Sequence, residues 1–394
     1  MQKFHIIGIT DSRELSFSKE VQTLIARSHV FSGGKRHHEI VSCMLPESSV
    51  WIDITVPLDA VFEHYADYQE IVVFASGDPL FFGFANTVMR KLPKAIVEIY
   101  PAFNSLQLLA HKALLPYHDM RTISLTGRPW KALDEALISG ESLVGTLTDR
   151  EKTPTAIALR MQEYGYDNYR MIVGEQLGNE DETVAEYSIA EAAAGYFRMP
   201  NCIILKRTFV RERPFGIAEE RFELLDGRVN MITKMPVRLL SLSLLDLRRK
   251  SVMWDVGFCT GSVSVESKLQ FPSLDVIAFE KREEGKRLME VNSRRFGCPG
   301  ITTVIGDFLN MPLEEYAIPD AVFIGGHGGK LGEMIKKIAP LLPVGATLVF
   351  NSVSEDSRNQ FEKAISENNL QLEQVIRLTV DEHNPIDTLK AVKR

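Results

Sequence analysis

Cysteine and histidine are scarce in this sequence, and they are not spaced as metal ligands. None of the 4 cysteines belongs to a CxxC pair, and none of the 9 histidines belongs to an HExxH motif. Structural zinc sites need such closely spaced ligands, and disulfide scaffolds need many cysteines in a short chain. The adjacent His37 and His38 would point in different directions on a strand or a helix. We therefore predict no metal site and no disulfide.

The chain also lacks a surplus of positive charge, a long apolar run and a secretion signal. Its 45 Lys and Arg residues are outnumbered by 52 Asp and Glu residues, which gives a net charge of -7. Binding along a phosphate backbone requires the opposite balance. No apolar run approaches the roughly 20 residues of a membrane span, and the first residues lack a signal-peptide pattern. We expect a cytoplasmic protein that binds neither nucleic acid nor membrane.

What is present is an ordinary globular composition in a chain long enough for two or more domains. Hydrophobic residues make up 45% and charged residues 25% of the 394 residues, as in proteins with packed cores. The segment Phe209 to Pro214 changes to charged residues and then proline, which is typical of a linker. We predict a first domain over residues 1–208, a linker over 209–214 and a second domain over 215–394.

Both halves are predicted to be α/β folds, because apolar strand-like runs alternate with amphipathic helices. In the first half we expect strands at 3–9, 71–75, 96–100, 122–125, 142–146, 170–173 and 202–206, and helices over 18–26 and 80–92. In the second half we expect strands at 252–256, 276–279, 302–305, 321–324 and 346–350, and helices near 262–270, 282–295, 331–339 and 355–367. Two final strand-like runs, 372–378 and 388–392, have no helix between them. The pattern predicts parallel sheets, the second of which ends in an antiparallel hairpin.

The turn after the strand 252–256 has a glycine spacing that favours S-adenosylmethionine. It reads Trp254-Asp255-Val256-Gly257-Phe258-Cys259-Thr260-Gly261-Ser262. The glycines fall as G-x-x-x-G after an acid, whereas a dinucleotide site requires G-x-G-x-x-G. Glycine lets backbone N–H groups and a helix N-terminus approach a polar ligand closely. We interpret Cys259, at a position where such loops usually carry glycine, as a small apolar substitute.

The ends of the next two strands carry side chains suited to a nucleoside. Glu280 is placed to accept hydrogen bonds from ribose hydroxyls. Asp307 would accept a hydrogen bond from the adenine amino group, and Phe308 would cover the ring. A glycine-containing turn alone is more often plain packing, and Glu280 alone is more often a solvated strand end. Their occurrence at successive strand ends favours a cofactor site.

Longer motifs in both halves resemble one family. The second half resembles the decarboxylating methyltransferases of corrin biosynthesis through Met231-Ile232-Thr233-Lys234 and Phe323-Ile324-Gly325-Gly326-His327-Gly328-Gly329. The first half is similar to the enzymes that methylate the other meso carbon, through Ser32-Gly33-Gly34-Lys35-Arg36-His37, Ala75-Ser76-Gly77-Asp78-Pro79-Leu80-Phe81-Phe82-Gly83 and Thr126-Gly127-Arg128-Pro129. The order of the halves matches the fused precorrin-6Y C(5,15)-methyltransferase family.

The resemblance implies both fold and activity. It implies a two-lobed tetrapyrrole methyltransferase fold followed by a Rossmann-like methyltransferase fold, with S-adenosyl-L-methionine as cofactor and no metal. The implied reaction methylates two meso carbons of precorrin-6B, or of its cobalt form, to give precorrin-8, and removes the carboxyl of a ring acetate. Tetramers are common in the C-terminal family, which implies a homo-oligomer.

The same resemblance implies a set of cofactor-binding residues. In the first half these are Gly77, Asp78, Pro79 and Thr153, and in the second half they are Thr233, Gly257, Phe258, Cys259, Thr260, Gly261, Glu280 and Phe308. The first half departs from the family at one loop, which usually reads Gly-x-Gly-Pro-Gly and here reads Gly8-Ile9-Thr10-Asp11-Ser12. An alternative interpretation therefore makes the first half an inactive binding or channelling module.

Several residues are candidates for contacts with the substrate, whose many carboxylates need cationic partners. The candidate anchors are Lys35, Arg36, Arg128, Lys234 and Arg238, each of which is also consistent with a solvated surface charge. His327 either protonates the carbon left by decarboxylation or only donates a hydrogen bond. A competing class, the amino-group methyltransferases, would carry Asn/Asp-Pro-Pro-aromatic after the fourth strand. This chain reads Ile324-Gly325-Gly326 there, so that motif is absent.

Overall fold

The computed structural model describes residues 1–10, 15–228, 230–381 and 384–394. Asp11 and Ser12 of the altered loop lie outside the described residues. Contacts divide the chain into two compact units. The first comprises Met1–Arg128, Ser142–Leu159 and Asp167–Thr208, and the second comprises Pro129–Glu141, Arg160–Tyr166 and Phe209–Arg394. The domain boundaries given above stay a prediction.

The first unit begins with a five-stranded parallel sheet in the order β3-β2-β4-β1-β5. Its strands are β1 (Lys3–Ile9), β2 (Val30–Gly33), β3 (Val50–Asp53), β4 (Glu70–Ser76) and β5 (Ile96–Tyr100). Its helices are α1 (Lys19–Arg27), α2 (Lys35–Val41), α3 (Leu58–Tyr65), α4 (Phe84–Lys91) and α5 (Ser105–Lys112). The central strands β1 and β4 are almost wholly buried, because a parallel sheet is covered on both faces.

The second sheet of this unit is mixed, which differs from the parallel sheet predicted for the whole first half. Its strands are β6 (Arg121–Ser124), β7 (Leu143–Leu147), β8 (Tyr169–Glu175), β9 (Thr183–Ser188) and β10 (Asn201–Arg207). They follow the order β6-β7-β10-β8-β9, and β10 runs antiparallel to both of its neighbours. Helices α6 (Lys131–Ser139), α7 (Pro154–Glu163) and α8 (Ile189–Ala194) alternate with these strands along the chain. Strand direction depends on long-range pairing, which an apolar run does not specify.

Helix α4 starts later than the predicted residue 80. The Asp78 carboxylate accepts a hydrogen bond from the Leu80 N–H at 2.8 Å, and the Asp78 carbonyl accepts one from the Phe81 N–H at 3.0 Å. Gly83 passes so close to Pro79 that a Cβ would lie 2.4 Å from the Pro79 carbonyl oxygen. These turns delay the start of the helix to Phe84.

The second unit contains the predicted parallel sheet with an antiparallel end. Its strands are β11 (Val252–Val256), β12 (Asp275–Glu280), β13 (Ile301–Ile305), β14 (Ala321–Ile324), β15 (Thr347–Ser352), β16 (Leu370–Leu378) and β17 (Ile386–Lys393). The order is β13-β12-β11-β14-β15-β17-β16, with β17 antiparallel to β15 and β16. The helices are α9 (Met235–Leu245), α10 (Ser262–Gln270), α11 (Glu284–Phe296), α12 (Leu331–Ile338) and α13 (Glu355–Glu367). Sheet order reverses at β11, where ligands of open α/β sheets bind.

A fully buried ion pair joins α9 to α10. The Arg238 Nε atom lies 3.2 Å from the Glu266 Oε2 atom, and both side chains are 0% exposed. Arg238 also donates to the carbonyls of Thr233 and Ile217, and Glu266 accepts from the N–H of Ile217. The prediction that Arg238 anchors a substrate carboxylate is therefore wrong, because its guanidinium is buried in the core and hydrogen-bonded there to Glu266, Thr233 and Ile217.

Among the described residues, no helix is long and apolar enough to cross a membrane.

Replacing Glu266 with Leu should destabilise the second unit by about 3–5 kcal/mol, because the Arg238 guanidinium would stay buried without its charge partner. Urea denaturation of the full chain, followed by the fluorescence of the buried Trp254, measures this loss. The matched control is Glu373→Gln, which removes a pair with Lys390 at a half-exposed position and should change the free energy of unfolding by less than about 0.5 kcal/mol. Equal effects of the two variants would contradict the prediction.

Candidate functional site

In the second unit, two glycine loops meet at the carboxyl ends of β11 and β14. Gly257 follows β11 with a φ of 77°, and a Cβ on it would lie 2.4 Å from the Gly326 carbonyl oxygen. The Gly325 N–H donates to the Val256 carbonyl at 2.8 Å. Only glycine fits such an approach, so the predicted cofactor loop and the loop that carries His327 form one surface.

Glu280 ties the end of β12 to the cofactor loop. Its Oε2 atom accepts a hydrogen bond from the Cys259 N–H at 2.9 Å. Its Oε1 atom accepts from the N–H groups of Lys281 and Arg282 at 2.9 and 3.0 Å, and from the Arg282 guanidinium at 3.2 Å. A carboxylate oxygen has about two acceptor positions. Among the described contacts Oε2 accepts one hydrogen bond, and the contact of Glu280 with a ribose hydroxyl stays a prediction.

Cys259 has a φ of 51°, in the region that normally favours glycine. Burial, followed by the nearby negative charge of Glu280, raises the pKa of its thiol. The thiol therefore stays protonated near pH 7 and is a poor nucleophile. This agrees with interpreting Cys259 as a small substitute for glycine.

Asp307 and Phe308 lie at the end of β13, next to Glu280 in the sheet. The Asp307 carboxylate caps the Leu309 N–H at 3.2 Å and pairs with the Lys281 ammonium at 2.9 Å. The hydrogen bond from Lys281 is the main reason that the pKa of Asp307 is lowered. We expected the Phe308 ring to cover an adenine. In the structure the residue is only 4% exposed, and its ring packs edge-on against Phe279 at 5.1 Å.

Two buried polar atoms beside the cofactor loop have no hydrogen-bond partner among the described residues. They are the Asp255 Oδ1 atom and the Thr260 Oγ1 atom. Asp255 is 0% exposed, and its other oxygen accepts from Ser264 at 2.6 Å. Burial raises the pKa of Asp255 to about 7. Orphaned polar atoms are rare in native cores, and here they lie in or next to a loop whose two glycines, Gly257 and Gly261, have no room for a Cβ. This fits a polar ligand such as the methionine end of S-adenosylmethionine.

The remaining predicted residues of the second unit occupy varied places. The Phe258 ring is buried against α11 and contributes only its backbone to the loop. Thr233 and Lys234 immediately precede α9, and the Thr233 carbonyl is held by Arg238 at 2.8 Å. The His327 Nδ1 atom accepts from the Gly329 N–H at 3.2 Å, and its ring packs edge-on against Phe350. Burial lowers the pKa of His327.

Two residues that the sequence analysis missed organise this site. Arg282 binds Glu280 directly, as described above. The Asn292 amide donates to the Thr260 carbonyl at 2.8 Å, while its oxygen accepts from the Glu223 N–H at 2.7 Å. Asn292 lies on α11, more than 30 positions from Thr260, so no local motif marks it. An arginine two residues after the strand-end acid is a signal that a motif search could have used.

The first unit contains a cavity of about 420 Å³ between its two sheets. Its lining includes Gly77 and its neighbour Ser76, together with Thr10 and Cys202. Gly77 has a φ of 60°, and a Cβ on Gly8 would lie 2.0 Å from its carbonyl oxygen. The end of β1 and the end of β4 therefore approach as closely as the glycine loops of the second unit.

The other predicted residues of the first unit shape the edges of its turns. Asp78 caps the turn before α4, and Pro79 is buried beneath Gly83. The Thr153 hydroxyl accepts a hydrogen bond from the Ala156 N–H at 3.2 Å, at the start of α7. These three residues are not in the lining described for the cavity. Their roles toward a cofactor stay predictions.

The cationic candidates of the first unit separate into distinct environments. The Arg36 guanidinium lies 3.4 Å from the Ser76 hydroxyl and lines the cavity. Lys35 is exposed at the start of α2. The Arg128 guanidinium stacks over the Phe82 ring at 4.9 Å. Of these three, only Arg36 belongs to the described cavity lining.

Two family models match the chain. Residues 3–193 match the tetrapyrrole (corrin/porphyrin) methylases, and residues 225–394 match the precorrin methyltransferase domain. A Sinorhizobium protein named precorrin-6Y C(5,15)-methyltransferase (decarboxylating) is 32% identical over 355 residues, which cover 89% of this chain and 84% of the relative.

Two shorter relatives come from Salmonella typhimurium. One, named cobalt-precorrin-6B C(15)-methyltransferase (decarboxylating), is 41% identical over 126 residues, 32% of this chain and 64% of the relative. The other, named cobalt-precorrin-7 C(5)-methyltransferase, is 29% identical over 126 residues, 32% of this chain and 61% of the relative.

The two folds and their strand-end loops define a fused pair of methyltransferases that use S-adenosylmethionine. This confirms the predicted pair of folds and the predicted cofactor. More narrowly, the chain belongs to the precorrin-6Y C(5,15)-methyltransferase (decarboxylating) family.

Replacing Glu280 with Ala should weaken binding of S-adenosylhomocysteine in the second unit by about 1.5–3 kcal/mol, because the change removes a charged hydrogen-bond acceptor. Calorimetric titration of the full chain measures the loss. Glu290→Ala, an exposed position on α11, is the matched control and should leave the affinity unchanged. Unchanged affinity in the Glu280 variant would show that the ribose is bound elsewhere.

Asp255 should make the stability of the second unit fall as the pH rises from about 4 to about 7. Its pKa is 3.8 as a reference and about 7 in the fold, so in this window the folded state holds one more proton than the unfolded state. Asp255→Asn removes this proton uptake. Urea denaturation across the window should show the variant gaining stability relative to the parent as pH rises, with no further change well above pH 7. Parallel curves for the two proteins would contradict the assignment.

Proposed function

We propose that this chain methylates two meso carbons of precorrin-6B, or of its cobalt form, and removes the carboxyl of a ring acetate, giving precorrin-8 in cobalamin biosynthesis. The observation that carries this proposal is that each unit has its own glycine-lined site at its strand ends. The relatives named separately for C(5) and for C(15) with decarboxylation support one activity in each unit.

In the second unit, the chain's residues bind and orient the reactants. S-adenosylmethionine supplies a methyl group on a positively charged sulfur, which the electron-rich ring carbon of the substrate accepts. Glu280 would hold the ribose, and the loop from Gly257 to Gly261, whose glycine N–H groups donate to the carbonyls of Phe279 and Phe258, would lie against the methionine end. Such transfer depends mainly on in-line positioning in a dry cleft.

Decarboxylation needs a place for an electron pair and a held carboxylate. The bond between the acetate methylene and its carboxyl carbon breaks, its electron pair enters the conjugated ring, and a proton is taken up afterwards. Lys234 is our candidate for holding that carboxylate, since it is half-buried at the start of α9. For His327 we propose hydrogen bonding. Its Nδ1 atom accepts from Gly329, so a neutral ring carries its proton on Nε2 and is a weak acid.

The alternative, an inactive first unit, is not favoured. The first unit keeps the close approach of Gly8 to Gly77 and a cavity of about 420 Å³ beside it. A family model of tetrapyrrole methylases matches it over residues 3–193.

Four further properties belong to this proposal as predictions. They are the domain boundaries at 208 and 215, a cytoplasmic location, a homo-oligomer such as the tetramers of the C-terminal family, and the absence of nucleic-acid partners. The net charge of -7 supports the last of these.

Incubating the full chain with precorrin-6B and S-adenosylmethionine should give a product that has gained two methyl groups and lost one carbon dioxide, as measured by mass spectrometry. Glu280→Ala should reduce the product to one methyl gain without decarboxylation, because only the second site is weakened. Glu290→Ala should resemble the parent. Loss of both methylations in a folded Glu280 variant would contradict two separate sites, and no turnover by the parent would contradict the function.

A further inference from the structure

A single lysine on α12 binds the backbone of the loop that follows β13. This loop contains the 3₁₀ turn Phe308–Asn310. The Lys337 ammonium donates to the carbonyl oxygens of Phe308, Leu309 and Met311 at 3.0, 2.7 and 2.7 Å. An ammonium has three hydrogens, so these three carbonyls use its whole donor capacity. Lys337 therefore binds the loop and has no donor left for a ligand.

The loop depends on this lysine because a short 3₁₀ turn satisfies few of its own carbonyl groups. The Asp307 carbonyl accepts from the Asn310 N–H at 2.8 Å, whereas the Phe308 carbonyl accepts only a long bond, of 3.4 Å, from the Met311 N–H. Hydrogen bonds from a charged donor are roughly twice as strong as those between neutral groups. The ammonium therefore fixes the orientation of the peptide groups that follow Phe308.

Apolar packing alone does not fix that orientation. The Phe308 ring belongs to the same hydrophobic cluster as Ile335 and Ile338 of α12, both of which are 0% exposed. Such packing keeps the turn close to the helix, but it has no preferred direction. The Lys337 ammonium, on the same helix, adds three directional contacts to it.

The same turn sets the direction of the Asp307 carboxylate. Its Oδ1 atom accepts from the Leu309 N–H at 3.2 Å, and its Oδ2 atom accepts from the Lys281 ammonium at 2.9 Å. The Lys281 side chain is 71% exposed, and exposed ion pairs are weak. Leu309 is the firmer support, because its carbonyl is bound by Lys337 while its N–H holds Asp307.

We propose that Lys337 is a positioning residue for adenine recognition in the second unit. By binding three carbonyls it holds the Leu309 N–H in place, and through it the Asp307 carboxylate, which accepts a hydrogen bond from the adenine amino group. This inference rests on the proposed function for its ligand, S-adenosylmethionine, and on the predicted contact of Asp307 with the adenine. Lys337 acts only through Asp307.

The consequence is selectivity for the base. S-inosylhomocysteine has a carbonyl oxygen in place of the adenine amino group, so it offers a carboxylate no hydrogen at that position. The parent protein should bind S-adenosylhomocysteine about 10- to 100-fold more tightly than S-inosylhomocysteine. Lys337→Met should lower the affinity for S-adenosylhomocysteine by about 10-fold and leave that for S-inosylhomocysteine unchanged.

Calorimetric titration of the full chain with the two ligands measures this preference. The site of the second unit is the one that Glu280→Ala weakens. The matched control is Lys336→Met, at the exposed neighbouring position on α12, which should keep the preference of the parent. Lys337→Gln keeps two donors without the charge. It is a milder second variant and should reduce the preference in the same direction as Lys337→Met.

A double variant distinguishes positioning from general support of the fold. Asp307→Ala removes the acceptor, so it should abolish the preference by itself. Adding Lys337→Met to Asp307→Ala should then cause no further loss of affinity for S-adenosylhomocysteine, because two residues that act as one unit are not additive. Additive losses, equal weakening of both ligands by Lys337→Met, or an unchanged preference in the Lys337 variants would overturn the positioning role.

This test is separate from that of the proposed function, because binding requires neither precorrin nor turnover. A parent protein that binds both ligands equally would overturn the inference, while the mass-spectrometric assay could still show both methylations and the decarboxylation. A preference that is lost in Lys337→Met and kept in Lys336→Met would support the inference even if the parent does not convert precorrin-6B.

Discussion

The close approach of backbone segments at the strand ends is the constraint on which both sites depend. In the second unit the loops after β11 and β14 touch at Gly257 and Gly326, and in the first unit the ends of β1 and β4 touch at Gly8 and Gly77. A Cβ atom at Gly257 or Gly8 would overlap backbone atoms, which cannot move aside without shifting a strand. Parallel sheets bring strand ends to one edge, and these glycines let the loops at that edge pack backbone against backbone, with the N–H groups of Gly257 and Gly77 donating to the carbonyls of Phe279 and Ile9.

Several polar groups around this edge of the second unit are hydrogen-bonded to one another. Glu280 holds Cys259 and Arg282, Asp307 holds Lys281, and Asn292 holds the Thr260 carbonyl. Each contact fixes one loop against its neighbour, so the Glu280 carboxylate has a defined direction before any ligand arrives. Preorganisation of this kind reduces what a ligand must order on binding.

The sequence analysis predicted the features that depend on local pattern and missed those that depend on long-range packing. The strands β11 to β15 in the sheet of the second unit follow from apolar runs, and the loop after β11 follows from its glycine spacing. Both signals act within about ten residues. The antiparallel β10, the burial of Arg238 against Glu266 and the buried ring of Phe308 are set by segments distant in sequence. A motif identifies Phe308 as a neighbour of the site, but only packing shows that its ring belongs to the core.

The altered loop of the first unit keeps one glycine of the family pattern and replaces two others. Of the family's Gly-x-Gly-Pro-Gly, the chain keeps Gly8, whose Cβ would lie 2.0 Å from the Gly77 carbonyl oxygen. The later glycines are replaced by Thr10 and by Ser12, and Thr10 lines the cavity. The retained glycine is therefore the one that the sheet cannot form without. The Thr10 substitution changes the chemistry of the cavity wall instead, adding a hydroxyl to a lining that also contains Ser76 and Arg36. The departure from the family therefore changes groups on the cavity wall and leaves the close approach of Gly8 to Gly77 in place.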